Sequence, residues 1–233
     1  VNPPTRLFSF AANVWTMSFP LRALGINVQR NVTIVRLASG KLIIHSTAPF
    51  TGADVAAIRE LGSPEWVVDV LLRHDTFSVE GSHAFPVASY LTPPGFEAPA
   101  GVIVSSLLPP PLEWENEISV LPIDGAPSFG EIVMLHKPSG TLIVGDLLFN
   151  FTGHASLWKR LLLSLGSVGG KYDPGFTRPF KSAITDRGAF SRSVSRVLDW
   201  DFDRIIVGHG NPILTGGKET LRRTLTAAGI AGL

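Results

Sequence analysis

Three apolar runs in this sequence stop on residues that can hold a metal ion or move a proton. "VVDVLLRHD" ends at His74 and Asp75, "TLIVGD" ends at Asp146, and "RIIVGHG" carries His209 near its end. Short runs this rich in Val, Ile and Leu read as strands buried on both faces. A strand end is rigid and opens onto the crevice at a sheet edge, a favourable place for catalytic groups. Imidazole and carboxylate together suit zinc, iron or manganese. An ion so held lowers the pKa of its bound water and makes a nucleophile near neutral pH. Gly145, Gly208 and Gly210 flank two of the positions, which permits close backbone approach. A single His or Asp at a strand end is more often a turn former or a hydrogen-bonded structural residue. Repetition of the pattern at three strand ends is what weighs against that plainer explanation.

The other histidines rank lower. His45 closes "LIIHS", either at the same edge or exposed. His136 precedes the turn Pro138-Ser139-Gly140, at the far end of its hairpin from Asp146, and reads as structural. His154 lies in "NFTGHAS", just past Asp146. His83 follows His74 by one short helix and faces either the site or solvent. Ser78, Ser82 and His83 do not form a nucleophile elbow, because the G-x-S-x-G pattern is absent. "GSVGGKYDPG" lacks the spacing of a phosphate loop and reads as a flexible loop.

These residues need a scaffold of strands and helices. "NVTIVRLASGKLIIHS" predicts a hairpin turning at Ala38-Ser39-Gly40. "TGADVAAIRELG" predicts a helix capped by Thr51 and stopped by Gly62. "EWVVDVLL" is a strand, Ser78 to Phe85 a short helix, and "VASYLTPPG" a strand stopped by prolines. In the second half, "ISVLPIDG" is a strand and "EIVMLHKPSGTLIVGD" a second hairpin. "ASLWKRLLLSLG", "AFSRSVSRVLDW" and "GGKETLRRTLTAAG" are helices, and "FDRIIVGHGNPI" is a buried strand. The predicted product is a sheet-rich core with helices packed outside. The loops "LTPPGFEAPAG" and "SVGGKYDPGFTRPF" carry Phe96, Tyr172, Phe176 and Phe180, which either wall an apolar pocket or pack as cover.

Bulk composition limits the function classes. The 233 residues suit one domain, 1–233, with 45% hydrophobic and 17% charged residues. A formal net charge of +1 gives no basic surplus for nucleic acid or an anionic membrane. No cysteine is present, so thiolate ligands and disulfides are excluded. No apolar run approaches the about 20 residues that span a bilayer. The start lacks the basic and apolar regions of a signal peptide. A cytoplasmic protein acting on a small molecule, with neither nucleic-acid nor membrane partner, is the expectation.

The order of these motifs resembles the metallo-β-lactamase-like fold of glyoxalase II, lactonases and flavodiiron proteins. That family has a strand running into H-x-H-x-D-H, a later strand ending in "GD" and a late strand ending in "GH". Here they correspond to "VVDVLLRHDTFSV", "TLIVGD" and "RIIVGHG", and the resemblance extends from Asn31 to Leu221. It implies an α/β four-layer αβ/βα sandwich: two mixed β-sheets with helices on the outer faces and a site at one edge. The H-x-H-x-D-H motif is degenerate. Its first histidine falls on His74, but the second falls on Thr76, the aspartate on Ser78 and the last histidine on Val79. The family's middle histidine falls near "IDGAPSFGE", where Asp124 is the nearest carboxylate. His74, Asp146 and His209 remain as the metal ligands that the resemblance implies. Asp75, His83, Asp124 and His154 are candidates to complete a rearranged site.

Three functions follow as expectations. The first is a hydrolase of ester, lactone or thioester type holding at most one Zn, Fe or Mn ion on His74, Asp146 and His209. The second is a metal-free enzyme with His74 or Asp75 as general base and the hydroxyls of Thr76 and Ser78 on the substrate. The third is a non-catalytic binding or scaffold protein that has lost the site.

Overall fold

The computed structural model describes residues 7–23, 26–27, 29–72, 76–151 and 174–230. Strands β1 (Phe8–Ala11) and β2 (Val14–Phe19) pair antiparallel, and β2 pairs in turn with β5 (Arg30–Arg36). Between them β3 (Arg22–Ala23) and β4 (Ile26–Asn27) form a separate two-stranded ribbon. The predicted first hairpin joins β5 to β6 (Lys41–His45), with Gly40 at φ +82° in the turn. Helix α1 (Gly52–Leu61) has the predicted start and stop. The Thr51 hydroxyl accepts the Asp54 N–H, the Asp54 carboxylate accepts the Thr51 N–H, and Gly62 follows the last turn. Such a reciprocal cap satisfies two donors left over at a helix start.

The α1 crossover returns the chain parallel to β6 as β7 (Ser63–Val68). After α2 (Ser78–Ala84), β8 (Ser89–Thr92) and β9 (Ser105–Ser106) extend the same sheet in parallel. Its seven strands run β1-β2-β5-β6-β7-β8-β9. The second sheet has the order β10-β11-β12-β13, from β10 (Ile118–Pro122), β11 (Ile132–His136), β12 (Thr141–Ile143) and β13 (Arg204–Ile206). Its first two pairings are antiparallel and its last is parallel. Helices α3 (Arg178–Ala183) and α4 (Arg187–Asp199) lie between β12 and β13, and α5 (Gly217–Ala227) follows β13. The two mixed sheets with their helices match the predicted sandwich. No helix among the described residues is long and apolar enough to cross a membrane.

Strand periodicity sorts the core. Val35, Ile43 and Val68 from one face of the large sheet join a cluster with Val133, Leu142 and Ile205 of the small sheet. The alternate residues Ile34, Ile44 and Val67 face the other way, into a second cluster with Ile58 of α1. Both faces of the large sheet are therefore apolar, as a covered mixed sheet requires.

One element differs from the sequence expectation. The run "VVDVLL" is not one strand: β7 stops at Val68, and Val70 and Leu72 then bond to the approach of β11. The Ile132 N–H donates to the Val70 carbonyl and the Leu72 N–H to the Phe129 carbonyl, each at 2.9 Å. The run thus passes from one sheet to the other, and this keeps it apolar along its length. Of the two alternatives for Phe176 and Phe180, the structure shows packing. Both are buried in the core, where Phe180 meets Phe129 and Phe190 edge-on. Thr177 caps α3 by accepting the Phe180 N–H. Tyr172 and the predicted helix "ASLWKRLLLSLG" lie outside the described residues.

His136 occupies the predicted structural place, fully buried with its Nδ1 2.7 Å from the Ser139 hydroxyl. Burial lowers its pKa, and the charge of Glu117 acts the other way. The native state thus favours the neutral ring, while the unfolded chain takes up a proton below about pH 6.5. Stability is full above that pH and is lost as pH falls from it toward the depressed native value. Urea titrations between about pH 7 and pH 5 should show this loss, and His136→Gln should flatten it.

Candidate functional site

β12 and β13 bring the site together by register. They run parallel with Ile143 opposite Ile206, and each continues for three residues, as Val144-Gly145-Asp146 and Val207-Gly208-His209. The ladder persists past the strands, because the Val144 N–H donates to the Ile206 carbonyl at 3.0 Å and the Gly208 N–H to the Gly145 carbonyl at 3.1 Å. Equal overhangs from paired residues leave Asp146 and His209 side by side, with His209 Nε2 3.6 Å from Asp146 Oδ1. Glycine is required for that approach. A Cβ on Gly208 would stand 2.7 Å from the Gly145 carbonyl oxygen, and one on Gly145 would meet Leu71 at 2.6 Å.

Buried polar groups hold each partner. The Glu131 carboxylate, buried just before β11, accepts the Gly145 N–H at 2.9 Å and the Asp146 N–H at 3.1 Å. Burial and then the negative Asp146 push its pKa up to about 8, against the pull of these N–H groups. The His209 Nδ1 lies 2.7 Å from the Gln29 carbonyl oxygen. A carbonyl only accepts, so Nδ1 carries the hydrogen, and Nε2 is the atom turned to Asp146. Phe149 stacks on the imidazole at 5.4 Å, with 13° between the planes. Asn31 of β5 ties the His209 loop to the large sheet, its amide donating to the Val207 carbonyl at 2.9 Å and the Gly210 carbonyl at 2.7 Å.

Behind the large sheet, Asp69 is fully buried and receives Arg30 at 3.4 Å, the Thr47 hydroxyl at 3.2 Å and the Tyr90 hydroxyl. Burial and the adjacent Asp69 raise the Tyr90 pKa. Helix α2 lies against this group, with Gly81 so close to Thr47 that an added Cβ would stand 2.3 Å from its methyl.

The structure therefore unites Asp146 with His209. His74, Asp75 and His154 lie outside the described residues. Thr76 is exposed, whereas Ser78 is fully buried at the start of α2. His83 is exposed. His45 is buried at the end of β6, on the face shared with its partners Thr33 and Val68. Asp124 is exposed and bonded to Ser193 of α4. Among the described residues no group of three or more His, Cys, Asp and Glu side chains is placed to hold a metal ion. Sequence reasoning missed Glu131, Asn31 and Phe149. Glu131 had a legible signal, a charge opening the apolar run "EIVMLH". The paired quartets I-V-G-D and I-V-G-H were a signal for the register.

Solved structures share this architecture. A metallo-β-lactamase from Erythrobacter litoralis is 19% identical with a TM-score of 0.63, over 97% of this chain and 96% of that one. The metallo-β-lactamase FIM-1 from Pseudomonas aeruginosa, in a mono-zinc form, is 17% identical with a TM-score of 0.58, over 97% and 96%. The flavodiiron core of Flv1 from Synechocystis is 10% identical with a TM-score of 0.64, over 96% of this chain and 60% of that one. The chain has the metallo-β-lactamase fold. No protein-family model and no curated protein matches the sequence.

Asn31→Ala should leave the Val207 and Gly210 carbonyls without their amide donor. A buried polar group stripped of its partner costs about 1–3 kcal/mol, so the denaturation midpoint should fall accordingly in guanidinium titrations. Ser18→Ala, at the exposed edge of the same contact, should cost less.

Proposed function

We propose that this chain is a hydrolase of small ester, lactone or thioester substrates that uses a single zinc, iron or manganese ion. The observation that carries the reading is the Asp146–His209 pair. Two ligands each about 2.1 Å from one tetrahedral ion stand roughly 3.4 Å apart, close to the 3.6 Å between Nε2 and Oδ1. A ligating histidine generally donates its second ring N–H to a carbonyl or carboxylate, as His209 does to Gln29. His74, brought by the segment between β7 and α2, is the proposed third ligand. When bound, the ion supplies a water of lowered pKa as nucleophile.

The protein's own residues have simpler tasks in this reading. His209 and Asp146 are held in place beforehand by Gln29, Phe149 and Glu131. Ser78 and Val79 stand at positions that carry ligands in the family motif; a serine hydroxyl is a poor ligand and valine is none, which favours one ion over two.

Elemental analysis of protein purified without added metal tests this. About one equivalent of Zn, Fe or Mn is expected, in keeping with one three-ligand site. It should be lost together with hydrolysis of an ester panel in Asp146→Ala, His209→Ala and His74→Ala. A wild-type protein that neither carries metal nor takes it up on titration overturns the reading and leaves the metal-free enzyme and the scaffold, which hydrolysis of the ester panel separates.

A further inference from the structure

Gln29 stands in the left-handed region, with φ +56°. A non-glycine residue there is uncommon, and such outliers persist only where their surroundings enforce them. The surroundings here are visible. The Gln29 side-chain amide donates to the Ser18 hydroxyl at 2.7 Å and to the Asn31 amide oxygen at 3.3 Å. Ser18 itself donates to that same oxygen at 2.8 Å. With its oxygen so engaged, the Asn31 amide nitrogen points the other way, to the carbonyls on either side of His209. The next residue, Arg30, is anchored by its buried Nε on the Thr47 carbonyl and by its ion pair with Asp69. Gln29 is fixed by its side chain on one side and by its neighbour on the other. The result of its left-handed turn is a carbonyl aimed at His209 Nδ1.

We propose that Gln29 is a positioning residue, whose left-handed backbone fixes His209 as the Nδ1-protonated tautomer with Nε2 toward Asp146. The link to metal binding rests on the reading in the preceding subsection; the tautomer does not. Three neighbours, Ser18, Asn31 and Arg30, hold the conformation, so the ligand pair is formed in the folded chain before any ion arrives. Preorganisation of this kind is what strained backbone near a site provides.

Long-range proton–nitrogen NMR of the histidine rings is the direct test, run on metal-stripped protein at a pH where His209 is neutral. The wild-type ring should show a single tautomer protonated on Nδ1. Gln29→Gly, which accepts positive φ without strain, should keep that signature. Gln29→Val, whose branched side chain disfavours this region, should give a tautomer mixture and weaken zinc binding by about 10–100-fold, the usual effect of losing a partner behind a ligand. A wild-type ring that is not protonated on Nδ1 overturns the proposal, with or without metal. So does a Gln29→Val protein that melts earlier yet keeps the wild-type ring signature. If wild-type protein binds no zinc but shows the single tautomer and the Gln29→Val shift, the hydrolase reading fails and the positioning role stands.

Discussion

The parallel ladder between β12 and β13 is the constraint on which the rest of the site depends. Parallel strands present their ends at the same edge of a sheet, and equal overhangs place equivalent residues beside each other. The quartets I-V-G-D and I-V-G-H use this directly. Val and Ile hold the strands in the core between the sheets, and glycine lets the two backbones continue in contact past the regular ladder. A one-residue slip would turn each functional side chain to the wrong face, but the buried valines and isoleucines resist it.

A carboxylate and an imidazole set side by side at the end of an apolar core carry a desolvation cost. The structure offsets it with oriented partners instead of water. Glu131 binds the N–H groups of the Asp146 turn, the Gln29 carbonyl receives the His209 proton, and Asn31 satisfies the carbonyls on either side of His209. Arg30, Asp69, Tyr90 and Thr47 form a second buried group on the opposite face of the large sheet. Breaking such a buried pair by removing one partner is costly, which makes this network an anchor for the start of β5 and the end of β7. The first of those segments leads to Gln29, so the anchor steadies the approach to His209.

Helix α2 packs closely on the large sheet. In this chain its first turn is given to packing, with Ser78 fully buried and Gly81 tight against Thr47. The edge at β12 and β13 keeps the strand-end carboxylate and imidazole with their supporting groups.

The sequence by itself determined the elements whose signals are local. The α1 capping box, the turns at Ala38-Ser39-Gly40 and Pro138-Ser139-Gly140, and the continuous apolar strands are set by short-range hydrogen bonding, backbone preference and hydrophobic period. Motif order along the chain was enough to indicate the sandwich. Tertiary structure alone decided which candidates meet. The contacts of His209 with Gln29 and of Asn31 with Val207 and Gly210 join one sheet to the other, and Glu131 joins the approach to β11 to the turn after β12. No periodicity encodes such contacts, because each depends on the register between strands. The choice between pocket wall and packing for Phe176 and Phe180 was left open for the same reason. A phenylalanine in a glycine-rich segment reads as loop until the helix that packs on it is known.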